Sequence, residues 1–112
     1  MKNLILILAI LFVYLPVFAQ EGNNVKYKKK GDLTEATYFY ADGNIQQQGT
    51  FNEEGKLHGV WTSYDVNGDK LAVGNYENGR KVGKWLFWTD GTLKEVDYVD
   101  SKIVSVNQWK KK

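Results

Sequence analysis

Cysteine is absent from the 112 residues, histidine and proline occur once each, and neither sign of charge dominates. Each shortage excludes something. Without a thiol there are no disulfides and no lipid-modified cysteine behind a leader, so a domain of roughly 85 residues must hold together by packing alone. Lys+Arg number 15 against 13 for Asp+Glu, a formal net charge of +2. Loss of Lys2 with a leader lowers it by one, which leaves no broad field to attract nucleic acid. The positive charge is local, in Lys26, Lys28, Lys29 and Lys30 and again in Lys110, Lys111 and Lys112. Such runs are ordinarily solvated tails, with a weak contact to anionic membrane or glycan surfaces as the alternative.

The other sparse residues point the same way. His58, the sole histidine, lies in a turn beside Gly59, with no oriented partner for general-base work and no co-ligands for a metal. Asp65-Val66-Asn67-Gly68-Asp69 superficially resembles a calcium loop. An EF-hand needs glycine sixth and a bidentate glutamate twelfth, whereas Gly68 is fourth and Tyr76 twelfth. Glu53 and Glu54 are adjacent loop acids, without the cleft a glycosidase pair requires. No catalytic, cofactor-binding or metal-binding residue is assigned, and no enzyme is expected.

Pro16 marks a boundary. Before it, Lys2 and the apolar run Leu4 to Leu15 have the form of a signal peptide, whose apolar region is about 7–15 residues long. Val17-Phe18-Ala19 supplies small residues at a cleavage site, and the polar Gln20-Glu21-Gly22-Asn23-Asn24 ends the stretch short of the roughly 20 apolar residues a membrane span needs. The expected organisation is a leader over 1–19, a flexible mature N-terminus over 20–26, a repeat domain over 27–109 and a basic tail over 110–112. The expected location is periplasmic or extracellular, soluble after cleavage.

What the chain does have is internal repetition. Trp61, Trp85 and Trp109 are spaced 24 and 24, as are Tyr40, Tyr64 and Trp88. Gly55 and Gly59 return as Gly79 and Gly83, and Gly49-Thr50-Phe51 returns as Gly74-Asn75-Tyr76. Asp42-Gly43, Asn67-Gly68, Asn78-Gly79 and Asp90-Gly91 are dipeptides that tolerate the positive φ angles of type I′ hairpins. The segments between them are short and rich in Val, Thr and aromatics, which suits strands. Strands are predicted near 33–40, 44–51, 60–65, 70–77, 84–89, 92–99 and 103–109, with a further one near 25–29. The fold class is all-β: an elongated antiparallel single-sheet meander of stacked β-hairpins, each needing its neighbour to bury an apolar face.

Gly59-Val60-Trp61-Thr62-Ser63-Tyr64 and Gly83-Lys84-Trp85-Leu86-Phe87-Trp88 share the pattern G-x-W-x-x-Y, with Trp in the last place of the second copy. Together with the His58-Gly59 step and Gly74-Asn75-Tyr76-Glu77-Asn78-Gly79, this resembles the variant MORN-repeat family over roughly residues 38–100. The resemblance implies a hairpin array with interaction roles: protein partners, membrane-associated scaffolding or, in some bacterial members, the antitoxin half of a toxin–antitoxin pair. It implies no chemistry.

Two residues three apart on a strand point to opposite faces, so Trp61 and Tyr64 must separate, as must Trp85 and Trp88. The 24-residue spacing predicts Trp61, Trp85 and Trp109 in one row on one face, the first two buried and Trp109 the most exposed. Trp61, Tyr64, Trp85, Trp88 and Trp109 are the candidate partner-binding aromatics. Three functional readings follow: a binding or scaffold module of the cell envelope, an antitoxin- or immunity-like inhibitor of a toxin, and a glycan- or membrane-surface binder. The partner is expected to be another protein or an envelope component.

Overall fold

The computed structural model describes residues 24–110; the predicted leader over 1–19 and Lys111–Lys112 lie outside them. The described chain forms one eight-stranded antiparallel sheet in which every strand pairs with its sequence neighbour. The strands are β1 (Val25–Lys30), β2 (Leu33–Phe39), β3 (Ile45–Phe51), β4 (Gly59–Tyr64), β5 (Lys70–Glu77), β6 (Arg80–Thr89), β7 (Thr92–Val99) and β8 (Lys102–Lys110). All eight coincide with predicted segments to within a few residues. The domain is wider than 27–109: Val25 and Lys26 already pair with Tyr38 and Thr37, and Lys110 pairs with Thr92.

Two kinds of connection recur. Asn78-Gly79 and Asp90-Gly91 have positive φ at both residues, as type I′ turns require, and so does Asp100-Ser101, which carries no glycine. Asp42-Gly43 and Asn67-Gly68 are not type I′ turns, because only the glycine has positive φ. In each, the glycine N–H donates to the carbonyl three residues back, Tyr40 or Asp65, and the next residue's carbonyl closes the loop onto the same residue. That is a three-residue loop with glycine in the bulge. Asn52 to Lys56 forms a third loop of this design. Here the first residue's side chain stabilises the turn: Asn52 Oδ1 accepts from the Glu54 and Lys56 amides, and Asp65 Oδ1 from the Asn67 and Asp69 amides.

Register creates the core. Tyr27 pairs with Ala36 and Ala36 with Gly49. The step that pairs Gln48 with Thr62 sets Gly49 opposite Trp61. Trp61 pairs with Gly74, and the Val73–Leu86 pair sets Gly74 opposite Trp85. Trp85 pairs with Val96 and Val96 with Val106. One row of side chains therefore crosses the whole sheet, and its middle is buried: Ala36, Gly49, Trp61, Gly74, Trp85 and Val96.

A single sheet has no second layer to cover its tryptophans, and this one covers them with its own backbone. Each indole lies back over a glycine of the preceding strand. A Cβ added to Gly49 would fall inside the Trp61 ring, and one added to Gly74 inside the Trp85 ring. The ring N–H groups find equivalent partners: Trp61 Nε1 donates to the Thr50 carbonyl at 2.9 Å, and Trp85 Nε1 to the Asn75 carbonyl at 3.0 Å. Glycine is needed only where the next strand sends an indole back. On β7 the corresponding residue is Val96, and the β8 residue beside it is Val106, not tryptophan.

Trp109 departs from the predicted row. It pairs with Leu93, and Leu93 with Trp88. Since Trp85 and Trp88 are three apart on an unbroken ladder, Trp109 lies on the face opposite Trp61 and Trp85. The row position on β8 is Val106, 21 residues after Trp85 rather than 24. The difference comes from the hairpins. Between Trp61 and Gly74 the chain makes a three-residue loop and a register shift, whereas the β6–β7 ladder has a two-residue turn and no shift. The second hairpin of that unit is one residue shorter as well. An aromatic spacing of 24 survives in the sequence, but the strand path beneath it does not repeat.

Candidate functional site

The two faces of the sheet differ in chemistry. The row face carries an aromatic layer in which rings meet edge to face: Phe51–Trp61 at 5.2 Å, Trp61–Tyr76 at 6.4 Å, Tyr76–Trp85 at 5.1 Å and Trp85–Tyr98 at 6.0 Å between centroids. Phe87 stacks on Trp85 at 6.0 Å. This is the arrangement ring quadrupoles favour. Lys81 closes one end, its Nζ 5.3 Å from the Trp85 ring and 5.1 Å from the Tyr98 ring, so the rings hold a cation where solvent is partly excluded. Burial lowers the Lys81 ammonium pKa. Burial also pushes the Tyr76 hydroxyl up to about 12, helped by neighbouring Tyr98, and raises that of Tyr38, helped by Tyr27.

Within this layer Trp61 and Trp85 are each only 5% exposed. As partner-contacting residues they are closed off: their faces are spent on glycine, tyrosine and phenylalanine.

The opposite face is polar over much of its area. Lys84 Nζ lies 3.2 Å from Glu95 and 3.3 Å from Asp97, and Ser105 Oγ donates to Asp97 at 2.6 Å. The Ser105 hydroxyl and then Lys84 hold the Asp97 carboxyl below its ordinary pKa, while hydrogen bonds to Glu95 and Asp97 raise that of Lys84. Gln48 Nε2 donates to Thr37 Oγ1 at 2.9 Å. At the end of this face nearest the β6–β7 turn the chemistry changes. Trp88, Leu93 and Trp109 form a cross-strand apolar row, with Leu71 one residue beyond the Ala72–Phe87 pair and Tyr64 on the strand after that. Tyr64, Trp88 and Leu93 are half-buried, whereas Trp109 is 51% exposed. The Tyr64 carbonyl accepts from Tyr40 Oη at 2.6 Å, which ties the equivalent position of one unit to the next.

Of the five aromatics singled out in the sequence, the structure brings Trp88 and Trp109 together on one face, with Tyr64 further along the same face. It sends Trp61 and Trp85 into the core.

His58 is a structural turn residue. Its Nδ1 accepts from the Asn78 amide at 3.1 Å, which places the neutral ring's proton on Nε2. Its amide donates to Thr50, and its carbonyl accepts from the Thr50 hydroxyl. The depression beside it, lined by Gly59, Asn75, Tyr76, Glu77, Val82 and Gly83, is shallow and open. Among the described residues no three His, Asp or Glu side chains are grouped to hold a metal. No family model, curated protein or solved structure matches this chain.

Proposed function

We propose that this chain is an exported, non-enzymatic repeat protein of the variant MORN type. In this reading it serves as a binding or scaffold module of the cell envelope, and its contact surface is the Trp88–Leu93–Trp109 row. The hairpin array and the G-x-W-x-x-Y copies support the family reading, and the composition of residues 1–19 supports export. The observation that carries the binding reading is Trp109. A tryptophan half exposed, beside Leu93 and in one cross-strand row with Trp88, is an apolar platform on the face that also carries the Lys84–Glu95–Asp97 group. Exposed patches of that kind mark interaction sites, and tryptophan is among the residues that most often dominate binding energy.

The test is a pull-down of the mature protein from its own envelope extract, run beside Trp109→Ala and Trp88→Ser. A protein partner captured by the native chain and lost with Trp109→Ala, at unchanged circular dichroism, is the expected result. A partner retained equally by both variants removes the row from the site. Retention on purified cell-wall glycan or anionic vesicles without a protein partner replaces the protein-binding reading. Mass spectrometry of the exported protein is expected to find a start at Gln20 or Glu21, and an intact Met1 overturns the export reading.

A further inference from the structure

Asparagine is followed by glycine at Asn67-Gly68 and at Asn78-Gly79, and both steps lie in hairpin connections. Such a step is chemically labile, because glycine has no side chain to keep its nitrogen away from the asparagine carboxamide. The structure makes the two steps unequal.

At Asn78 both reacting groups are held by a neighbouring hairpin. Asn78 Oδ1 accepts from Asn52 Nδ2 at 2.8 Å, and the Gly79 amide donates to the Leu57 carbonyl at 2.8 Å. The Asn78 amide is held as well, by His58 Nδ1. At Asn67 the amide donates to Asp65 Oδ1 and the Gly68 amide to the Asp65 carbonyl, both within one short loop. Among the described residues the Asn67 carboxamide has no hydrogen-bond partner. Residues 66–70 are all exposed, and the space around Gly68 is open.

We propose that Asn67 is a site of spontaneous covalent modification, in which Gly68 converts its carboxamide to a carboxylate. The Gly68 backbone nitrogen bonds to Asn67 Cγ and gives up its proton to water. The carboxamide nitrogen takes up a proton and leaves as ammonia. Water then opens the five-membered imide at either carbonyl, which gives aspartate, or isoaspartate with the chain routed through the former side chain. Water is the sole co-reactant. Asn78 is spared, because bonds to another hairpin must open before its two groups can meet.

The position of Asn67 gives the change an effect. Aspartate there sets a third carboxylate between Asp65 and Asp69. Isoaspartate lengthens the backbone in a loop that adjoins the register shift at Ser63–Tyr64. The same loop receives Asn44 Nδ2 on its Val66 carbonyl, so its distortion loosens the tie to the β2–β3 connection. The reaction needs only this loop, and it stands or falls separately from the proposed partner surface.

The test is incubation of the native chain at mildly alkaline pH, followed by peptide mapping with detection of isoaspartate. Conversion at Asn67 is expected to be about tenfold faster than at Asn78, since the two bonds to Asn52 and Leu57 must first break at Asn78. In urea the two rates should converge. Asn52→Ser leaves an oxygen to accept within its own loop but cannot reach Asn78. It is expected to speed conversion at Asn78 severalfold and to leave Asn67 unchanged. Conversion at Asn78 as fast as at Asn67 in the folded chain overturns the proposal. So does a preference for Asn67 that persists in urea, or an Asn78 rate indifferent to Asn52→Ser.

Discussion

At the scale of single residues, the buried glycines matter more than the exposed ones. Gly74 has ordinary backbone conformation, so Ala is compatible with its φ; what forbids it is the Trp85 indole lying where a Cβ would go. A ring held by a hydrogen bond and flanked by Tyr76 and Phe87 has little room to retreat. Gly74→Ala should therefore destabilise by about 3 kcal/mol, as overpacking of a tight core does. Gly68→Ala, at φ 91° with open space around it, should lose only about 1 kcal/mol. Urea denaturation of both variants checks the order, and a Gly74→Ala/Trp85→Leu double mutant should recover part of the loss. The Lys84–Asp97–Ser105 group makes a second prediction. Asp97 has a lowered pKa in the folded chain, so its contribution is present above its ordinary value of 3.8 and is lost as pH falls toward the folded value. Asp97→Asn should flatten this acid limb in melts taken across that range, and identical limbs would remove the carboxylate from the account.

Among the hairpins, the same dipeptide serves two different turns, and in two of the three-residue loops a side chain outside the dipeptide supports the longer form. Asp65 and Asn52 each close a three-residue loop by accepting two amides, whereas Asn78-Gly79 makes a two-residue turn of type I′ geometry. Asp65→Ala should thus destabilise by about 1 kcal/mol through loss of two hydrogen bonds to backbone. Gly79→Val, at φ 86°, should lose roughly 1–3 kcal/mol through backbone strain, because no L-residue with a branched Cβ sits well there. Thermal melts distinguish the two, and a Gly79→Val protein as stable as the native would exclude positive φ at that turn. Neighbouring turns at the same end of the sheet are also tied laterally. Gly79 donates to the Leu57 carbonyl, Asn52 Nδ2 to Asn78 Oδ1, and the Ser101 amide to the Lys81 carbonyl. These bonds link each hairpin to the next and couple units beyond their shared ladder.

For the molecule as a whole, one aromatic layer without disulfides must supply the cohesion. The layer is thickest around Trp85, which touches Tyr76, Phe87, Tyr98 and Lys81, and it thins toward β8, where every residue is exposed. Trp85→Ala should destabilise by about 3–5 kcal/mol, enough to unfold much of a domain of this size. Trp109→Ala should change global stability by less than about 1 kcal/mol. Equal losses in guanidinium titrations would mean that Trp109 packs more tightly than its edge position implies.

Strand existence and order were legible in the residues, because turn dipeptides and short β-rich runs are local signals and a meander needs no long-range pairing rule. The opposite facing of Trp85 and Trp88 was legible too, since side-chain alternation is a property of one strand. Burial of Trp61 and Trp85 followed from the aromatic repeat. Gly49 and Gly74 were visible as a repeated pair, but their purpose was not: it depends on which residue of the neighbouring strand lies opposite and which way its ring leans. The place of Trp109 was decided by three-dimensional structure as well. Loop type and bulges set how many residues separate equivalent points on alternate strands, and three fewer of them between Trp85 and β8 put Val106 in the row and turned Trp109 to the other face. Periodicity in sequence counts residues, whereas a sheet aligns hydrogen-bonded partners, and each bulge makes those two counts diverge.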